Sequence, residues 1–87
     1  MRVLRIYFTE FDDEKYRTVV ERLKRLGFKV VEHKSSLVPE FRYLEVPDFQ
    51  GDPEEVEREI SPLVEAREYL KLDVVEVVTP RRGEEDA

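Results

Sequence analysis

His33 is the single histidine of this 87-residue chain, and there is no cysteine. Thiol catalysis, disulfides, zinc fingers and iron–sulfur clusters are therefore excluded. A catalytic triad or a histidine-based metal site within one chain lacks its second member. His33 reads most simply as a sheet-face residue, and where copies of the chain meet it becomes a pH-sensitive contact. Glu10, Asp12 and Asp13 stand close together, and such oxygen ligands take hard cations such as Mg²⁺. Helix capping already accounts for Asp12 and Asp13, because the free N–H groups and the dipole of a helix N-terminus both favour carboxylates. Gly27, Gly51 and Gly83 are too far apart for a phosphate-cradling loop. Ser61, Ser35 and Ser36 have no base nearby in the sequence. No catalytic residue, metal ligand or cofactor is expected. The functional chemistry that remains is aromatic: Tyr7, Phe41 and Tyr43 can pack or stack.

Periodicity supplies the scaffold that would bring these rings together. Residues 2–9 read as a strand, with Leu4, Ile6 and Phe8 on one face and Val3, Arg5, Tyr7 and Thr9 on the other. Residues 13–26 read as a helix, with Tyr16, Val19, Val20, Leu23 and Leu26 on one stripe. Phe11 is placed to staple its first turn, and Gly27 is placed to end it in a left-handed turn. Residues 28–34 and 41–46 read as strands two and three. The sequence Asp52-Pro53-Glu54-Glu55 is an N-cap, a proline at the first helical position and an acid at the third. Val56, Ile60, Leu63 and Val64 continue as an apolar stripe. Pro62 predicts a kink there, or a restart capped by Ser61. Residues 72–79 read as the last strand, with Val75 and Val77 toward the helices. Pro80 ends it, and residues 81–87 read as a disordered polar tail. The order β-α-β-β-α-β predicts a single α+β domain over residues 1–80, a ferredoxin-like sandwich. Its antiparallel sheet has the order 4-1-3-2, and two helices cover one face.

The uncovered face of that sheet carries Val3, Arg5, Tyr7, Val31, His33, Phe41, Tyr43, Val74, Glu76 and Val78 in this reading. An open antiparallel face in water should be mostly polar. An apolar, aromatic one marks an interface or a binding surface. Burial between copies, as a dimer or trimer, is the commonest solution for a small protein. A platform for single-stranded RNA is the alternative, since Tyr7 sits on the first strand and Phe41 and Tyr43 on the third, both central.

Three resemblances bear on that choice. Met1-Arg2-Val3-Leu4-Arg5-Ile6-Tyr7-Phe8-Thr9-Glu10-Phe11-Asp12 resembles the opening of small PII-like proteins. The stretch from Val56 to Val78, ending Asp73-Val74-Val75-Glu76-Val77-Val78, is similar to their closing helix and strand. The resemblance implies a ferredoxin-like fold, a trimer and kinship with nucleotide sensors. The short link Ser35–Glu40 stands where those relatives carry a long glycine-containing loop that contacts ligand, so the resemblance carries the fold and leaves nucleotide binding open. Ile6-Tyr7-Phe8-Thr9-Glu10-Phe11 resembles the shorter signature of RNA-recognition motifs. Glu40-Phe41-Arg42-Tyr43-Leu44-Glu45-Val46 resembles the longer one in its aromatics, without its basic residue and glycines. An acid after the first strand of a small ferredoxin-like chain also resembles a CRISPR-associated Mg²⁺ nuclease, although Thr9 and Glu10 occupy the place of that family's aspartate.

Composition sets the remaining bounds. Charged residues make up 41% of the chain and the formal net charge is −6, which opposes bulk phosphate binding by RNA or DNA. Asn is absent, Gln50 is the only Gln and Met1 the only Met, a thermophile-type usage. No apolar run is long enough for a signal peptide or a membrane span, and with no cysteine the expected location is the cytoplasm. The sequence thus predicts a non-catalytic binding or regulatory module that self-associates through its sheet face.

Overall fold

A computed structural model describes residues 1–35 and 37–78. Four strands, β1 (Arg2–Thr9), β2 (Val31–Lys34), β3 (Phe41–Pro47) and β4 (Lys71–Glu76), form one antiparallel sheet in the order β2-β3-β1-β4. This is the expected order read from the other edge. Helices α1 (Asp13–Arg25) and α2 (Pro53–Ile60) supply the two crossovers, and the fold is the ferredoxin-like α+β sandwich. Leu4, Ile6 and Phe8 of β1 with Leu44 and Val46 of β3 meet Tyr16, Val19, Val20 and Leu23 of α1 and Val56 and Ile60 of α2 in one buried cluster. Each fully buried aliphatic or aromatic side chain contributes about 1.5–3 kcal/mol. Among the described residues, no helix is long and apolar enough to cross a membrane.

The ends of α1 follow from its sequence. The Asp12 carboxylate accepts from the Glu14 N–H at 2.8 Å, capping the start. At the other end Gly27 has φ 94°, the left-handed turn glycine enters without steric cost. Its N–H donates to Lys24 O and that of Phe28 to Leu23 O, satisfying carbonyls the helix leaves free. The staple expected of Phe11 does not form, since that ring is 81% exposed. Tyr16 instead packs on Phe8, with ring centroids 6.1 Å apart.

Several boundaries differ from expectation. Residues 28–30 are not part of β2, because the Phe28 N–H is engaged in closing α1. Phe28 and Val30 still pack against the core. Helix α2 stops at Ile60 instead of kinking, and Ser61–Leu63 forms a single 3₁₀ turn with no side-chain cap. Pro62 lacks the N–H a further α turn would need. Phe49, in what reads as a loop, is 1% exposed. Its N–H donates to Arg2 O, and a Cβ on Gly51 would come within 3.2 Å of its ring.

The largest correction concerns β4. Leu4 pairs with Val74 and Ile6 with Leu72, so Val74 packs on the core. Glu76 pairs with Arg2 on the same side, at its rim, and takes the N-terminal ammonium at 2.8 Å. The expected facing of β4 is therefore inverted. Val75, expected toward the helices, pairs with Val3 on the open side. Val78 lies past the end of the strand and is 81% exposed. A one-residue phase error flips every side chain of a strand, and the doublets Val74-Val75 and Val77-Val78 read equally well in either phase. The expected strand end at 79, Pro80 and the tail 81–87 lie outside the described residues.

Candidate functional site

The open face is built from side chains two apart on each strand, which project to the same side. β1, near the middle of the sheet, contributes Arg5 and Tyr7. Across from them β3 places Glu45 and Tyr43, and β2 places Val31 opposite Glu45 and His33 opposite Tyr43. Phe41 pairs with Thr9 at one end of the sheet. On the other side β4 sets Lys71 against Tyr7, Asp73 against Arg5 and Val75 against Val3. Of the ten residues expected here, Val3, Arg5, Tyr7, Val31, His33, Phe41 and Tyr43 share the face. Val74 and Glu76 belong to the covered side, and Val78 to neither.

The rings form a row across three strands. Tyr7 and Tyr43 stack with centroids 4.8 Å apart and planes 6° from parallel. His33 stacks on Tyr43 at 4.7 Å and 21°. Phe41 meets Tyr7 edge to face at 6.4 Å and 70°. Tyr43 therefore has a ring against each of its two faces. Rings stacked on neighbours across the strand direction stand on edge from the sheet and present their rims to solvent. Each such pair contributes about 0.5–1.5 kcal/mol beyond burial. Phe41 is 45% exposed and Val31 37%, and a shallow cleft of about 270 Å³ opens between Tyr7, His33, Lys34, Ser35, Phe41 and Tyr43.

Glu45, which the sequence reading left off the surface, is the electrostatic centre. Its Oε1 lies 2.5 Å from His33 Nε2 and its Oε2 lies 3.8 Å from Arg5 Nε. The second distance is an ion pair but too long for a hydrogen bond, and Arg5 Nε is buried with no hydrogen-bond partner among the described residues. Burial first, and then the Glu45 carboxylate, push the Tyr43 hydroxyl up to about 12. Arg5 and Lys71 against Glu45 and Asp73 leave the face balanced in charge, on a chain whose net charge is −6. The sequence does place Glu45 on the same side as Phe41 and Tyr43. Its importance depends on standing opposite Arg5, which only the register reveals.

The acids after β1 serve the β1–α1 turn. Glu10 is 3% exposed, and its Oε2 accepts from the Asp12 N–H at 3.2 Å. Arg42 donates through Nε to Glu10 O and through Nη2 to Asp13 Oδ1. Asp12 is the α1 cap. Among the described residues, no three acids or histidines are grouped to hold a metal ion. No protein-family model and no curated protein matches the sequence, so the chemistry of the open face has to carry the functional reading.

Proposed function

We propose that this chain is a non-catalytic, homo-oligomeric binding module that packs its open sheet face against another copy of itself. The observation that carries the reading is the row His33–Tyr43–Tyr7, a rigid aromatic ridge whose ring faces are used inside the sheet. An RNA platform needs ring faces open to incoming bases, and both faces of Tyr43 are taken. Phosphate recognition also needs surplus cations, whereas Arg5 and Lys71 are offset by Glu45 and Asp73. A charge-balanced face with exposed Phe41 and Val31 suits a second copy, because like faces then meet without net repulsion. The cysteine-free, Asn-free composition supports a cytoplasmic, thermophile-type setting.

The test is solution mass by light scattering on a size-exclusion column, at low and at high salt. A dimer or trimer is expected at both, because the contact is mainly apolar and aromatic. Tyr43→Lys, which sets a charge into the middle of the ridge, should yield a folded monomer. A wild-type monomer at both salts would sink the reading. It would turn attention to single-stranded oligonucleotides, whose binding should then weaken in Tyr7→Ala and Phe41→Ala.

A further inference from the structure

We infer that acidification disassembles the sheet-face oligomer by protonating His33. The inference rests on the self-association proposed above and adds its regulation. His33 Nε2 lies 2.5 Å from Glu45 Oε1. A carboxylate can only accept, so Nε2 bears the proton of the neutral ring, and a second proton would go to Nδ1. The contact through Nε2 is the one hydrogen bond the ring makes among the described residues. Protonation therefore creates a charge and a new donor at once. In a free protomer the His33 side chain is 42% exposed, and water serves both. Pressed against a second copy, a charge whose one contacting carboxylate is already shared with Arg5, and a new Nδ1 donor without a partner among the described residues, oppose burial.

The surroundings offer little to absorb that charge. β3 turns Tyr43 and Glu45 toward the ring, and β1 turns Arg5 and Tyr7 toward the same row. On β2 itself the neighbouring Lys34 is a cation. Lys71 and Asp73 stand farther off, on the far side of β1. Around the sheet edge the ring shares a cleft with Asp13 and Arg17 of α1 and with Arg42 of β3. Asp13 is held by Arg42 there. Glu45 is the carboxylate in contact with the ring, and Arg5 already shares it. Protonation thus turns a balanced face into one with a net positive charge, and each copy brings the same charge to the contact. The oligomer binds fewer protons than its separated chains, so association weakens as pH falls through the histidine range.

The experiment is the dissociation constant of the full chain from a light-scattering dilution series at about pH 8 and about pH 5.5, with circular dichroism confirming the fold at each. The constant should rise about tenfold or more on acidification. His33→Gln should keep the oligomer and lose the response, and His33→Asn is the second neutral replacement if the first does not fold. His33→Lys, charged at both pH values, should associate weakly at both. An oligomer equally tight at both pH values, or an undiminished response in His33→Gln, overturns the inference and leaves self-association standing. A monomer under all conditions overturns both.

Discussion

Glu32 and His33 are neighbours on β2, and their side chains leave the sheet on opposite sides. On the covered side Glu32 is fully engaged. The Tyr16 hydroxyl donates to its Oε1 at 2.7 Å, and Arg17 reaches both of its oxygens at 3.3 Å. The Tyr16 ring lies under the Arg42 guanidinium at 4.6 Å. The open side repeats the ingredients, with Tyr43, Glu45, Arg5 and His33, but leaves them incomplete. Arg5 Nε is buried without a hydrogen bond, and His33 bonds through one nitrogen. The helix α1 that completes the first cluster is what the second lacks. A cluster finished by the fold contributes to stability, and one left unfinished at a surface can contribute to association.

The sharpest way to break that comparison is to cut adjacent residues of β1. Ile6 faces the helices and is fully buried, whereas Tyr7 stands in the open ridge. Ile6→Ala should cost about 2–5 kcal/mol in denaturant unfolding, whatever the protein concentration. Tyr7→Ala should cost about 1–3 kcal/mol through its two lost ring contacts, and the loss should grow with concentration where the wild type associates. Equal, concentration-independent losses would mean that the open face is an ordinary part of the monomer.

Removing one hydroxyl from each cluster is a finer cut. Tyr16→Phe should destabilise by about 1–3 kcal/mol, because a charge-assisted bond to a part-buried carboxylate is lost. Tyr43→Phe should cost less, since water reaches the rim of that ring and the stack with Tyr7 and His33 remains. Chemical unfolding of both variants at neutral pH checks this. A larger loss in Tyr43→Phe would show the open cluster to be the better-built one.

The two sides also differ in how far the sequence discloses them. Strand β1, helix α1 and the start of α2 were legible because their signals are local: alternation at Leu4, Ile6 and Phe8, the cap Asp12, the turn Gly27, the pair Asp52-Pro53. The phase of β4 was not. Leu70, Leu72 and Val74 compete there with Val75 and Val77, and only pairing with Leu4 and Ile6 decides between them. Phe49 escaped notice because a loop residue becomes core only through the Arg2 backbone it bonds. Seven of the ten expected face residues lie on the open side because β1, β2 and β3 each alternate without ambiguity. Glu45 was missed because its partners Arg5 and His33 come from two other strands.

Alkaline pH probes both clusters with the smallest perturbation. Burial first, and then Glu32, raise the Tyr16 hydroxyl above its ordinary value. Tyr43 is raised to about 12. An unfolded tyrosine titrates near 10. Between those values the folded chain holds protons that the unfolded chain has released, so stability falls as pH rises. The contribution is fully present below about pH 10 and is lost through the folded values. On the acid side the sign reverses for Glu32, which the Tyr16 hydrogen bond first, and then Arg17, hold below the usual carboxylate range. Its contribution is present above the unfolded value of about 4.3 and lost as pH falls through the folded one. Tyr16→Phe should therefore flatten both limbs of a stability–pH curve. Tyr43→Phe should flatten the alkaline limb alone, by the smaller amount. Unfolding free energies measured in steps across the acid and alkaline ranges separate the two, and an acid limb altered by Tyr43→Phe would mean that the sheet couples the clusters on its two sides.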